Sequence, residues 1–467
     1  MASRTLVAAL MAATALGGCA TLAPPYERPA LPVAPSWPTP AEDTAGHSGA
    51  DVAWRDVFQD PRLQGVIALA LQQNRDLRVA VADIERARAA YGAQRAELLL
   101  AIDATASGER GRTPGSLSQT GRAETGAQYR VTGGFAAYEL DLFGRIRSLS
   151  EAARQSYLAS EEDRRAVQVS LIGEVANAWL TLAADQELLA ITRDTLASRD
   201  AALQLTDKRF QAGAASELDV RQAQTLAEQA RSDAAVAKAR VEQDRNALRL
   251  LAGAEVPADL LPPDNLAEVG AVAEVPAGLP SEVLTRRPDV AAAERRLQAQ
   301  NANIGVARAA FFPRINLTAA AGTMSPALSG LFRAGSGTWS FAPQIGLPIF
   351  AGGANVANLR AAEASRDASV AQYEKAVQTA FREVADALAV HATAEERVAA
   401  QVRLVEAAAA TQRLTQARYE RGVDSYLGLL DAQRTLYAAR QSLVTAQLAK
   451  AANRVDLYRA LGGGAPK

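Results

Sequence analysis

One cysteine, two histidines and a few carboxylates at the turns of long helical runs are the residues of this chain that could do chemistry. Cys19 is the sole thiol, which excludes an intramolecular disulfide and leaves covalent modification as what its sulfur can offer. His391 sits at a seam position of a heptad run with no neighbouring ligand pattern. Its expected role is structural, and no metal site or cofactor is expected. Asp431 lies about two turns into a helix that starts near residue 425. A macrodipole favours an acid in the first turn and fades beyond it, so it explains Asp431 poorly. Ser216 and Asp219 have the spacing of a capping box. No nucleophile–base set, phosphate-cradling loop or pair of acids is visible, and the chain is not expected to be an enzyme.

Composition narrows the class further. The 467 residues carry 50 Lys and Arg against 51 Asp and Glu, without the basic excess of a nucleic-acid surface. Outside the extreme N-terminus no run of 18 apolar residues occurs, so no transmembrane helix is expected, although a closed β-barrel remains open. At the N-terminus, Arg4 and the apolar stretch Leu6 to Leu16 precede Gly17-Gly18-Cys19, which reads as a signal peptide over 1–18. The pattern resembles a bacterial lipoprotein signal. That resemblance makes Cys19 the first mature residue, carrying diacylglycerol and an N-acyl (palmitate-type) chain. Ala20 after it, rather than Asp, favours the outer membrane. Residues 19–52, with seven prolines between 24 and 40, read as an extended lipidated tether.

Two stretches then repeat. Leu205-Thr-Asp-Lys-Arg-Phe-Gln-Ala-Gly213 is matched by Leu414-Thr-Gln-Ala-Arg-Tyr-Glu-Arg-Gly422, each closing one helical run and opening another. The chain is therefore an internal duplication, with repeats over 53–253 and 286–463, a Pro- and Gly-rich linker over 254–285, and a tail at 464–467. Each repeat begins with a helix, about 61–99 and 288–311. Period-two alternation follows: Leu100–Ser107 and Tyr129–Phe143 in the first repeat, 315–321 and Trp339–Ile349 in the second, with loops at 108–127 and 323–337. Gly133-Gly134 breaks the phase and suggests a bulge. Trp339 and Tyr129 fit either strand propensity or an interfacial aromatic belt. Very long helices start near Ile146 and Ala354. Val175, Leu182, Leu189, Leu196, Leu203 and Phe210 recur every seven residues, as do Val370, Val377, Val384, His391, Val398 and Val405. The first would run roughly 95 Å at 1.5 Å per residue. Returning helices over about 216–252 and 425–461 end at Gly253 and Gly462.

Four strands per chain cannot close a barrel, and an open edge cannot sit in lipid, so several chains are required; eight strands or twelve are both allowed. Further sequence then carries a family resemblance. It comprises Pro25-Tyr26-Glu-Arg-Pro, Trp54…Phe58…Asp60-Pro61, Tyr138-Glu-Leu-Asp-Leu-Phe-Gly-Arg145, Arg287-Pro-Asp-Val290, Ala309-Ala-Phe-Phe-Pro313, Leu347-Pro-Ile-Phe-Ala-Gly-Gly353 and Tyr426-Leu-Gly-Leu-Leu-Asp-Ala-Gln433. In this order they resemble the TolC-like outer-membrane efflux proteins, in the lipoprotein branch serving resistance–nodulation–division (RND) multidrug pumps. The resemblance implies a mainly α-helical chain whose four strands enter a trimeric twelve-stranded β-barrel, below which duplicated helical hairpins form an α-barrel in the periplasm. It implies a homotrimer in the outer membrane that docks a periplasmic adaptor and an inner-membrane pump, and passively exports drugs or other small solutes. It also makes the tips a gate, closed by Leu427 and Asp431 and supported by Arg418, Tyr419 and Arg434. A type I secretion conduit of the same fold and a periplasmic coiled-coil lipoprotein remain alternatives; the coiled-coil spacer would have no use for the strands.

Overall fold

A computed structural model of the chain describes residues 21–38, 52–119, 121–266, 269, 272–273 and 281–463. Cys19, the signal peptide and the tail lie outside the described residues. In chain order the elements are α1 (Trp54–Val57), α2 (Pro61–Gln73), α3 (Arg75–Ala96), β1 (Asp103–Thr113), β2 (Glu124–Glu139), α4 (Arg145–Gln211) and α5 (Glu217–Ala252). They continue with α6 (Pro288–Ala309), β3 (Arg314–Ser325), β4 (Gly337–Gly346), α7 (Ala354–Glu420) and α8 (Tyr426–Ala460). The duplication is visible in the lengths. Both α4 and α7 have 67 residues, about 100 Å of helix, and both α3 and α6 have 22.

The contacts divide the chain into two compact units, each holding pieces of both repeats. One contains the described part of Met1–Pro29 with Asp83–Ser160 and Ala293–Tyr373. Its centre is a four-stranded antiparallel sheet in the order β1-β2-β3-β4, so among the described residues β1 and β4 are its two edges. Three of the strands are displaced toward their loops from where the alternation predicts, with β1 starting at Asp103 rather than Leu100 and β2 ending at Glu139 rather than Phe143. β1 reaches Thr113 and β2 starts at Glu124, inside the expected loop 108–127, while β4 stops at Gly346 rather than Ile349. Every β1 residue is exposed, so no buried face marks its length in the sequence; the pairing Asp103–Gly134 through Thr113–Glu124 sets it instead. The bulge also falls elsewhere. Gly133 and Gly134 pair regularly with Ala321 and Ala320, and the register shifts between Phe135 and Tyr138, where Ala137 has φ 55°. Gly134 is needed for close approach. A Cβ there would run into the Ala319 carbonyl oxygen of β3, and one at Gly322 into the Val131 carbonyl oxygen of β2. On β4, Trp339, Phe341 and Ile345 stand on one face, 79%, 57% and 68% exposed.

Within this unit residues 21–29 are extended, as the proline content predicts, and they are docked. The Thr21 and Ser148 hydroxyls lie 2.9 Å apart, Asn301 donates to the Pro24 carbonyl at 2.8 Å, and Arg308 donates to Leu22 at 3.2 Å. Arg28 grips both oxygens of Glu294 at 2.8 and 2.9 Å, and Tyr26 donates to the same carboxylate at 3.0 Å. Composition predicts the absence of regular structure, but not which side chains this segment meets.

The other unit comprises Ala30–Ala82, Glu161–Ala292 and Glu374–Lys467. Val57, Phe58, Leu63, Val66 and Ile67 are buried in it with Trp179, Leu180, Leu182, Val377 and Val384. Trp179 Nε1 donates to the Leu260 carbonyl at 3.0 Å, which satisfies its one polar atom. The heptad seam is tight at Val175, Leu182, Val377 and Val384 and opens toward the tips, where Phe210 is exposed. One 18-residue window of α4 has the hydropathy of a membrane span, 1.2, and 56% of that window is buried in the protein. Burial against neighbouring helices accounts for its apolarity.

Candidate functional site: the hairpin tips

The two tips turn in the same way. Gly213 and Gly422 take the left-handed conformation, φ 72° and 73°. After each, the next residue donates to the carbonyl five positions back: Ala214 to Arg209 at 2.7 Å, and Val423 to Arg418 at 2.9 Å. Each glycine donates three back, to Phe210 and to Tyr419, at 2.9 Å. This double closure satisfies carbonyls that a helix end leaves free, and it requires a residue that tolerates positive φ.

Their helix starts differ. Ser216 Oγ accepts from the Asp219 amide at 3.2 Å while Asp219 Oδ2 accepts from the Ser216 amide at 2.9 Å, which is the expected capping box. Ser425 makes no side-chain cap bond, and the third residue of its helix is Gly428, which has no side chain to return one. The second turn is held by Arg418. Its Nε and Nη2 donate to the two oxygens of Asp424 at 2.6 and 2.9 Å. That hydrogen bonding holds the Asp424 carboxyl below the usual carboxylate range and raises Arg418.

The packing differs too. Tyr419, only 8% exposed, is buried with Ala223, Tyr426, Leu429 and Leu430, flanked by Leu203 and Leu226. The Tyr419 and Tyr426 rings lie 5.4 Å apart, and burial, followed by Tyr419, pushes the Tyr426 phenol up to about 12. The Arg209 guanidinium sits 4.7 Å over the Tyr419 ring. The first hairpin thus grips the second inside one chain.

Leu427, Asp431 and Arg434 come together on the opposite face of α8. They are spaced by four and three residues, and all three are exposed, Leu427 by 65%. Neither Asp431 nor Arg434 has an ion pair among the described residues, so three of the five expected gate residues form one outward face. Tyr419 belongs to the core, and Arg418 braces its own turn. Sequence reasoning missed Arg209, Asp424 and Tyr426. The repeat held the signal for the first, because Arg209 is the counterpart of Arg418 in the aligned tips.

Similarity to known proteins extends over nearly the whole chain. The family described as outer membrane efflux protein matches residues 66–254 and 279–463. The toluene efflux pump outer membrane protein TtgC of Pseudomonas putida is 48% identical over 466 residues, 99% of this chain and 96% of that one. Outer membrane protein OprJ of Pseudomonas aeruginosa is 45% identical over 458 residues, 98% and 95% of the two chains. Among solved structures, a membrane protein from Pseudomonas aeruginosa superposes with a TM-score of 0.89 at 45% identity, covering 95% of this chain and 98% of that one. The open state of the outer membrane channel MtrE of Neisseria gonorrhoeae gives 0.86 at 41%, with the same coverage. On both sequence and fold, the chain belongs to the outer membrane efflux protein family, a family of channels rather than enzymes.

Proposed function

We propose that the chain is the outer-membrane duct of a tripartite efflux assembly: a homotrimer that receives drugs or other small solutes from an inner-membrane RND pump through a periplasmic adaptor. The observation that carries this reading is the open sheet. Among the described residues β1 and β4 each pair on one side only, and the apolar Trp339, Phe341 and Ile345 stand exposed on β4. Unpaired backbone groups are too costly in lipid, so the edges must be met by other copies, and three chains supply twelve strands. The names of the similar proteins speak of toluene, solvent and antibiotic efflux, which supports small apolar or amphipathic cargo. The chain performs no chemistry in this reading; the pump supplies the energy.

At the tips, three copies of the Leu427–Asp431 face would meet around the axis. Three carboxylates at close range attract cations, and the leucines narrow the passage. Arg434 would pair across copies, while Arg418 and Tyr419 hold the turn and its core. Cys19 would carry the acyl chains that anchor the mature N-terminus. Fractionation of expressing cells tests the reading, with the outer-membrane extract run unboiled and sized in detergent. A detergent-dependent trimer in the outer membrane is expected; a water-soluble monomer overturns it.

A further inference from the structure

Two arginines among the described residues are more than nine-tenths buried, Arg199 at 5% and Arg287 at 6% exposure. They are satisfied in opposite ways. Arg287 is held by Asp289 at 2.8 Å and Glu383 at 2.7 Å, and it donates to the Ala460 carbonyl at 2.6 Å. Arg199 has no carboxylate in ion-pair range among the described residues. Its Nη1 donates to the Leu226 carbonyl at 3.2 Å, its guanidinium lies 5.3 Å from the centroid of the Tyr437 ring, and its Nε is buried without a partner. Burial pushes its pKa down; Asp233 favours its charge only from beyond ion-pair distance, and Arg434 opposes it. A cation taken out of water is costly unless a counter-charge and hydrogen bonds replace the solvent. A facing aromatic ring replaces part of that, not all.

A cavity of about 180 Å³ opens beside Arg199, bounded by α4, α7 and α8. Arg440 lines it from α8, half-buried and without an ion pair among the described residues. Gln433 lines it with a buried Oε1 that has no partner. The Ser198 hydroxyl adds a further donor, and the one carboxylate of the lining, Asp194, is exposed. Two guanidiniums, an amide and a hydroxyl around a space of this size match an oxyanion in charge and in donor geometry.

We propose that this cavity is a binding site for a small oxyanion of the sulfate, phosphate or carboxylate class, with Arg199 and Arg440 as its cationic donors and Gln433 and Ser198 completing the shell. Arg199 lies 14 residues before Gly213, about 21 Å along α4. An anion bound there ties α4 of the first hairpin to α8 of the second, one level above the tip cluster. The site stands on the packing within one chain and does not depend on the transport reading.

Equilibrium dialysis of the full-length protein in detergent against radiolabelled sulfate, at constant ionic strength in chloride, tests it. One saturable sulfate per chain is expected, displaced by phosphate and by acetate. Affinity should fall at least tenfold in Arg199→Gln. The Arg440→Gln variant changes only a half-buried residue and carries the same expectation should Arg199→Gln fail to assemble. Absence of saturable binding to the wild-type protein overturns the proposal, as does undiminished binding in both variants. Binding seen only after the oligomer is dissociated also overturns it, because the counter-charge would then be a side chain of a second copy.

Discussion

Tyr419 and Phe210 occupy equivalent places in the two repeats, and the structure assigns them unequal weight. Tyr419 is 8% exposed among Ala223, Tyr426, Leu429 and Leu430, with Arg209 stacked 4.7 Å over its ring; Phe210 is 42% exposed. Tyr419→Ala removes a buried ring from a tight cluster. Substitutions of this kind cost about 3–5 kcal/mol through lost transfer and residual cavity. The tilted contact with Tyr426 and the cation–π contact with Arg209 fall within that range. Phe210→Ala, at a largely exposed position, should cost under about 1 kcal/mol. The readout is hydrogen–deuterium exchange of the α8 amides after Tyr426, which reports local opening of the tip. At about 1.4 kcal/mol per tenfold, Tyr419→Ala should speed exchange there by roughly 10²-fold or more, against a few-fold at most for Phe210→Ala. Planar-bilayer conductance of the two variants should follow the same order. Equal acceleration by both would refute the reasoning, because the first repeat's aromatic would then carry as much of the tip as the second's.

Other perturbations test the remaining arguments. Asp431→Ala should raise single-channel conductance by loosening the closed tip, and an unchanged conductance would remove Asp431 from the gate. Gly322→Val drives a side chain into the Val131 carbonyl and should abolish the trimer expected in the unboiled detergent extract, whereas Gly126→Ala, with open space around its Cβ, should leave that trimer intact. Burial first, and then a hydrogen bond shared with Asp185, push the Asp244 carboxyl up to about 6 from 3.8, with Arg240 opposing. Between about pH 4 and 6 the folded chain therefore holds a proton that the unfolded chain has released, so stability falls as pH rises through that window. The melting temperature should rise from pH 7 to pH 5, and Asp244→Asn should flatten that gain; an identical profile in the variant would count against the shared proton. Cys19→Ser should end incorporation of labelled palmitate, and continued labelling would sink the assignment of the lipid site.

Much of the architecture could be read from periodicity. The seven-residue recurrence from Val175 to Phe210 and from Val370 to Val405 predicts two very long helices because a seam must fall on one face turn after turn, and both are present at 67 residues. The strands were legible as a texture and not as boundaries. β1 has no buried face, so nothing in its side chains marks where it stops, and the backbone pairing with β2 decides that. Gly133 and Gly134 interrupt the alternation, which suggests a bulge at that point. The structure uses Gly134 for close approach to β3 and kinks the strand three residues later at Ala137. At the tips, the positions of Leu427 and Asp431 one turn apart were readable from the sequence, and so was the capping box of Ser216 and Asp219.

The sequence by itself determined the duplication, the lengths of the two 67-residue helices, both glycine turns and the family, because each depends on local spacing or on runs of residues in order; the run over 61–99, read as one helix, is broken at Asn74 into Pro61–Gln73 and Arg75–Ala96. Identical turns at Gly213 and Gly422 follow from identical local chemistry, since a helix end that closes through a left-handed residue needs no tertiary partner. Which copy of the tip is buried, which arginine stacks on it and which is left without a carboxylate were decided only by the tertiary structure. Arg199, Arg209 and Arg418 are the same residue type on similar helices. One meets a backbone carbonyl and an aromatic face, one a tyrosine ring and one an aspartate, because burial and partnership belong to the neighbours that packing brings from elsewhere in the chain.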